Sequence, residues 1–317
     1  MKIYAISFYT AFALSYVFLL LLIPVLKRLK AGQNILNYVK EHKEKNGTPT
    51  MGGLAFVSAA ILTTSIFVRP LNRTLILCMA IGLSYMIIGF MDDLLKKIHR
   101  QNLGLKAWQK FSFQILVAIF VGVYCYRTGN TKLYVPFWNK VLDIGLWFLP
   151  FSVFVYVATV NAVNLTDGLD GLAAGACVPF FASLGALIAL QKEQTALSLL
   201  SFCLTGALMA YLLFNVSPAS IFMGDTGSLA LGGFMASIAI FSGNVLYIPL
   251  LGSVFVFSVI TVLIQVIYYK VTGGKRIFLM APAHHHFQEK GYSESKISYA
   301  YAVITLLLGL LCVLSIL

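Results

Sequence analysis

The chain has 317 residues, 59% of them hydrophobic and 11% charged, and carries a net charge of +12. Soluble domains are about 25% charged, so the composition excludes an ordinary soluble fold and leaves apolar runs long enough to cross a bilayer. The basic residues are not interleaved with aromatics as on a nucleic-acid platform; they read as loops held against anionic lipid, with no nucleic acid as partner.

In chain order, ten spans are predicted: 3–26, 51–68, 74–91, 110–126, 145–163, 171–190, 195–213, 227–242, 246–269 and 297–317. The first run, Met1 to Pro24, is broken only by Lys2. It is too long for a secretory leader and lacks a small-residue cleavage site. Between spans four and five, Lys132 to Phe137 and Val141 to Ile144 could pair as a small external β-hairpin. The uncharged stretch Thr226 to Tyr269 would make a helix of about 66 Å, twice the hydrocarbon thickness. It must therefore turn, and Ser242-Gly243-Asn244 is the expected place. Five cysteines fall singly in or near the spans, without metal spacing, as free apolar thiols. The expected fold is an all-α polytopic membrane protein, with residues 1–317 as one membrane-embedded domain.

Ten spans place five connections on one side of the bilayer: 27–50, 91–110, 164–170, 214–226 and 270–296. Those loops hold 16 of the 23 Lys and Arg residues, so the positive-inside rule makes them cytoplasmic and both termini external. They also hold 9 of the 11 acids. Orientation alone gives no reason to gather acids among bases, whereas a site for a cation and phosphates does.

The motifs follow the same order. Lys45-Asn46-Gly47-Thr48-Pro49-Thr50-Met51-Gly52-Gly53 enters the second span; it reads as a plain boundary or as a phosphate cradle, but not as a P-loop. Asp92-Asp93 closes the third span, and Lys96 can face either acid on a helix. Adjacent carboxylates at a lipid boundary repel unless a cation joins them, the alternative being a solvated helix end. Asn161, Asn164, Asp167 and Asp170 follow the fifth span, and a helical turn would put the last three on one face. Gly168 and Gly171 allow close backbone approach to a ligand. A calcium loop fails, because the twelfth position from Asp167 is Val178 rather than Glu. Asn215 and Phe222-Met223-Gly224-Asp225-Thr226-Gly227-Ser228 precede the eighth span, where Asp225 is expected either as the helix N-cap or as a Mg²⁺ ligand. Ala281-Pro282-Ala283-His284-His285-His286-Phe287 lies in the last cytoplasmic loop. Three consecutive imidazoles point apart on a helix and suit phosphate, beside Lys275 and Arg276, better than one shared metal.

Together these motifs make the chain resemble the polyprenyl-phosphate N-acetylhexosamine-1-phosphate transferase superfamily, most closely its branch acting on UDP-N-acetylmuramoyl-pentapeptide. The resemblance runs over nearly the whole chain. The histidine motif separates that branch from the N-acetylglucosamine-1-phosphate relatives; Gln288 departs from it, standing where an acid is expected. The resemblance implies transfer of phospho-N-acetylmuramoyl-pentapeptide to undecaprenyl phosphate, giving lipid I and UMP, with Mg²⁺ as cofactor, in the bacterial inner membrane, and a homodimer. It implies Asp225 as main Mg²⁺ ligand, with Asn164, Asp92 and Asp93 as candidate further ligands. Asp92 and Asp93 would position the lipid phosphate or take its proton. It places Asn164 and Asp167 near ribose and diphosphate, Asp170, Phe222 and Gln265 at uracil, and Lys45 and Thr50 nearby, with Lys96, Gly168, Leu169 and Asn215 as further substrate-binding residues. His284, His285 and His286 would contact phosphate or sugar. It also implies a broken ninth helix framing a lipid groove. The competing readings are a UDP-N-acetylglucosamine enzyme, told apart by substrate swapping, and a cation-coupled transporter. The transporter would require ionisable residues at the bilayer midplane and inverted repeats, and neither is present.

Overall fold

The computed structural model describes residues 2–29, 47–99, 104–138, 140–192 and 194–317. The long helices are α1 (Lys2–Arg28), α2 (Gly53–Phe67), α3 (Arg73–His99), α4 (Ala107–Thr128), α5 (Phe148–Thr166), α6 (Leu172–Gln191), α7 (Thr195–Asn215) and α8 (Gly224–Phe241). After a one-turn helix α9 (Ile248–Leu251) come α10 (Ser253–Val271), the short α11 (Ala283–Glu289) and α12 (Glu294–Leu314). Among the described residues nine helices are long and apolar enough to cross a membrane, and α2 is a shorter apolar one, matching the ten predicted spans. The fold is therefore an all-α polytopic membrane protein. Strands β1 (Lys132–Val135) and β2 (Lys140–Asp143) pair antiparallel, Lys132 opposite Asp143, as the expected hairpin. The chain turns at Gly243, φ 75°, where the long uncharged run had to bend. The ninth span is interrupted at Gly252, between α9 and α10.

The bundle is organised around α8, whose residues from Thr226 to Phe241 are all buried. Helices in lipid gain little from apolarity and associate through close packing, which favours small residues. Here Gly82 of α3 receives the ring of Phe234, and Gly233 of α8 receives Tyr85 in return. Gly232 lets Val160 of α5 approach, and Gly53 of α2 lies against Gly227. Tyr85 and Tyr156 stack at 5.6 Å, and the Tyr156 hydroxyl meets Ser237 Oγ at 2.9 Å. By contrast α10 buries only Val254, Phe255, Ser258 and Thr261, and leaves Phe257, Leu263 and Ile267 exposed. Such an apolar outer face belongs against lipid tails. All five cysteines are buried and free.

Helix α3 runs past the predicted span end at 91 to His99, so Lys96 stands on the same helix as Asp92 and pairs with it as expected, with Lys96, Lys97 and His99 at its negative end. Two local expectations change. Asp225 is not the cap of α8 but its second residue, and the capping oxygens come from Asp93 of α3. Asn164, Asp167 and Asp170 do not share a helical face, because α5 ends at Thr166 and the chain turns to Gly171, φ 72°.

Candidate active site

Four helix ends meet around Asp225. Gly224, φ 69°, turns the chain so that the first backbone N–H groups of α8 point at α3. Asp93 Oδ1 accepts from Asp225 N at 3.2 Å, and Oδ2 accepts from Thr226 N at 2.9 Å and Thr226 Oγ1 at 2.7 Å. A carboxylate at a helix N-terminus satisfies unpaired N–H groups and complements the helix dipole. Asp93 thus fixes where Asp225 sits. Asp225 Oδ2 receives Lys96 Nζ at 2.9 Å and Lys110 Nζ, from the first turns of α4, at 2.8 Å. Its Oδ1 receives Asn164 Nδ2, from the last turn of α5, at 2.7 Å. The same amide nitrogen reaches Ser228 Oγ at 2.9 Å. Asp92 pairs with Lys96 at 2.6 Å and accepts Leu105 N at 2.7 Å.

Asp92, Asp93 and Asp225 each offer an oxygen within 4.8 Å of the others. Three carboxylates face two ammonium groups, so one negative charge is left over. A donor set of carboxylates, with the Asn164 amide beside it, fits a hard divalent cation.

A second wall adjoins this centre. The Asp167 carboxyl lies deep among protein atoms although part of its surface is open. Burial, then the charges of Asp225, Asp93 and Asp170, raise it well above the usual carboxylate range. A side chain on Gly168 would come within 2.6 Å of His284 Nε2 and 3.0 Å of His285 Nε2, so the glycine makes room for both rings. His284 is fully buried, neither ring nitrogen has a hydrogen-bond partner among the described residues, and burial, with His285 beside it, pushes its pKa down to about 3. It is neutral and presents no charge to a phosphate. His286 Nδ1 accepts Leu279 N at 3.1 Å, and its ring meets Phe278 edge-on.

The remaining predicted residues hold loops. Asp170 Oδ2 accepts Ala219 N at 3.0 Å, and buried Leu169 packs into the core. Asn215 bridges Gly171 N at 3.1 Å and Ile221 O at 2.9 Å. Phe222 joins Pro49 and Gly52 through its backbone, and Thr50 Oγ1 lies with Asp93 against Gly224. Gln265 fastens Ile277 and Phe278. Lys45 lies outside the described residues. Sequence reasoning passed over Lys110 and Glu294, and named Ser228 within a motif without giving it a role. Only the placing of Lys106 and Lys110 beside a predicted span hinted at the first.

The helix ends of a membrane bundle thus bring carboxylates, lysines and an amide together, a donor set suited to a divalent cation and a phosphorylated substrate. The model of glycosyl transferase family 4 matches residues 73–243, the stretch holding Asp92, Asp93, Lys110, Asn164 and Asp225. Residues 45–57 match phospho-N-acetylmuramoyl-pentapeptide-transferase signature 1. The chain is 44% identical over 302 residues to the phospho-N-acetylmuramoyl-pentapeptide-transferase of Clostridium botulinum, covering 94% of this chain and 91% of that one. It is 44% identical over 286 residues to that of Caldanaerobacter subterraneus, covering 90% of each, and 43% over 288 residues to that of Clostridium perfringens, again covering 90% of each. The chain belongs to the phospho-N-acetylmuramoyl-pentapeptide-transferase family.

Proposed function

We infer that the protein transfers phospho-N-acetylmuramoyl-pentapeptide from its UDP carrier to undecaprenyl phosphate, releasing UMP and forming lipid I. The observation that carries this is the Asp225 cluster, built from four helix ends in a chain whose relatives bear that transferase's name. Phosphoryl transfer asks chiefly for alignment and charge neutralisation. Both reactants are anionic, so Lys96 and Lys110 would donate hydrogen bonds to phosphate oxygens. Bound Mg²⁺ would supply the remaining neutralisation, held by Asp225 with Asp92, Asp93 and Asn164 as further donors. The last proton of a phosphate monoester leaves with a pKa of about 6, so the lipid phosphate needs little help from a base at neutral pH. Asp92 would orient it, and Asp93 would act through α8.

Asp167, Gly168, Leu169 and Asp170, with Asn215, Phe222 and Thr50, would frame the nucleotide beside the histidines. An apolar cavity of about 520 Å³ between α10 and α12, lined by Val254, Phe257, Ile297 and Ala300, suits a prenyl segment of the carrier lipid. The same reading puts the site on the cytoplasmic side of a bacterial inner membrane, both termini outside, with residues 1–317 as one domain and two copies as a homodimer. The test is an assay with purified protein, both substrates and Mg²⁺, scoring UMP and lipid product, with EDTA as control. Product that survives chelation would remove the metal from this reading, and no product would remove the function.

Lys110→Met takes away one of the two ammonium groups on Asp225. Transfer is expected to fall roughly 10–100-fold, the range seen when a group orienting a charged centre is lost. Comparing kcat and KM for the nucleotide with those of Lys97→Met, which alters a neighbouring charge outside the cluster, checks it.

A further inference from the structure

We infer that Gln114 and Asn161 are positioning residues: their amide pair, one helical turn from the reaction centre, sets α4 against α5 so that Lys110 reaches Asp225. The inference deepens the function proposed above and rests on it for the reaction. Little else holds the beginning of α4. Its buried residues are Gln114, Ala118, Val121, Gly122 and Cys125, so none from Ala107 to Phe113 is buried, and Phe111 and Phe113 stand exposed. Further along, α4 lies close to α5, where Gly122 leaves room for Ser152 Oγ. Near the centre, its other polar ties among the described residues are Leu105 N on Asp92 and Lys110 itself. Oily contacts between helices in lipid favour no one register, whereas a hydrogen bond between them does.

Gln114 Oε1 accepts Asn161 Nδ2 at 2.7 Å, and the same nitrogen donates to Val157 O at 2.8 Å. A backbone carbonyl only accepts, so Asn161 must turn its NH₂ this way and Gln114 its oxygen. Gln114 is also held from α3: its backbone oxygen accepts the Tyr85 hydroxyl at 3.0 Å, and Tyr85 stacks on Tyr156 of α5. Three helices thus join at one buried level. Gln114 is four residues beyond Lys110 on α4, and Asn161 three residues before Asn164 on α5, so each couple shares a helix face. Lys110 Nζ lies 3.5 Å from Asn164 Oδ1 and 2.8 Å from Asp225 Oδ2, and Asn164 Nδ2 donates to Asp225 Oδ1 at 2.7 Å. Gln114–Asn161 and Lys110–Asn164 are therefore successive rungs on one α4–α5 seam. Loss of the first lets α4 slip or rotate, which breaks the second and draws the ammonium off Asp225.

The test uses full-length protein in micelles. Gln114→Met keeps the length of the side chain and removes the acceptor, and Asn161→Leu removes the donor. Each should lower kcat/KM for transfer roughly tenfold in the otherwise unaltered protein, but less than about twofold in the Lys110→Met background, because both act through that lysine. A merely structural role would cost the two backgrounds alike. Losses that multiply in full with that of Lys110→Met would overturn the proposal, as would full activity of both single variants. Acylation of Lys110 by an amine reagent, read by mass spectrometry against Lys97, needs no turnover. It should rise several-fold in either variant as the ammonium leaves its ion pair, and an unchanged ratio would overturn the proposal. If Gln114→Met does not fold, Asn161→Leu decides both readouts. Absence of transfer by the unaltered protein would instead sink the function reading, leaving the positioning to be decided by the acylation ratio.

Discussion

Asp225→Asn is expected to lower transfer on the order of a thousandfold, the scale of losing a group that sets the charge of a reaction centre. Its two oxygens hold three donors at 2.7 to 2.9 Å: Lys96, Lys110 and Asn164. An amide of the same shape can accept with one atom only. Its NH₂ must face either the two ammonium groups or the Asn164 NH₂, and neither can accept. The substitution also removes the one unbalanced negative charge of the cluster, and with it the attraction for a divalent cation. The fold should survive, because α8 is packed along its length and its N-terminus is capped by Asp93 rather than by Asp225. Circular dichroism and a melting curve should show the helices intact, with turnover gone. Near-normal turnover would remove Asp225 from the site.

Gly89→Val is expected to cost transfer at least about a hundredfold, and Gly89→Ala most of that. A side chain at 89 would overlap the carbonyl of Asp225, and backbone in the first turn of a buried helix cannot step aside. Overpacking costs about 1–3 kcal/mol, but the larger effect falls on chemistry. Helices α3 and α8 would separate where Asp93 meets Thr226, and misplacing reacting groups by about 1 Å can cost a hundredfold. Gly175→Ala is the control, its nearest neighbour atoms being 3.9 Å away. Equal kcat for the two alanine variants would show that the α3–α8 contact does not set the site.

Much of the architecture was legible because apolar length and turn chemistry are local. The ten spans, the hairpin at 132–143 and the turn at Gly243 all follow from runs of neighbouring residues. The acids of the site were legible less from each motif, which a solvated helix end or a helix cap would also explain, than from the gathering of 9 of 11 acids on one side of the predicted topology. What escaped was the relation between distant segments. Nothing near Asp93 shows that it caps a helix some 130 positions further on, and nothing beside Asp225 shows that its cap lies elsewhere. Lys110 looks like Lys106 until α4 is seen to bring it to Asp225. The histidines read as phosphate ligands because they point apart on a helix and stand beside Lys275 and Arg276; burial leaves His284 neutral, and burial is a property of the packed molecule.

The hub of the bundle and the floor of the reaction centre are one and the same rod. Helix α8 has no lipid-facing side from Thr226 to Phe241, and Asp225 sits at its tip. Adaptation of this enzyme therefore has little freedom along α8 and a great deal around the rim. A scan of all single substitutions scored for transfer should trace α8 as an unbroken intolerant stripe. The outward faces of α1 and α10 should accept almost any oily residue. Resistance to a compound seated in the centre should accordingly arise in the loops that border it.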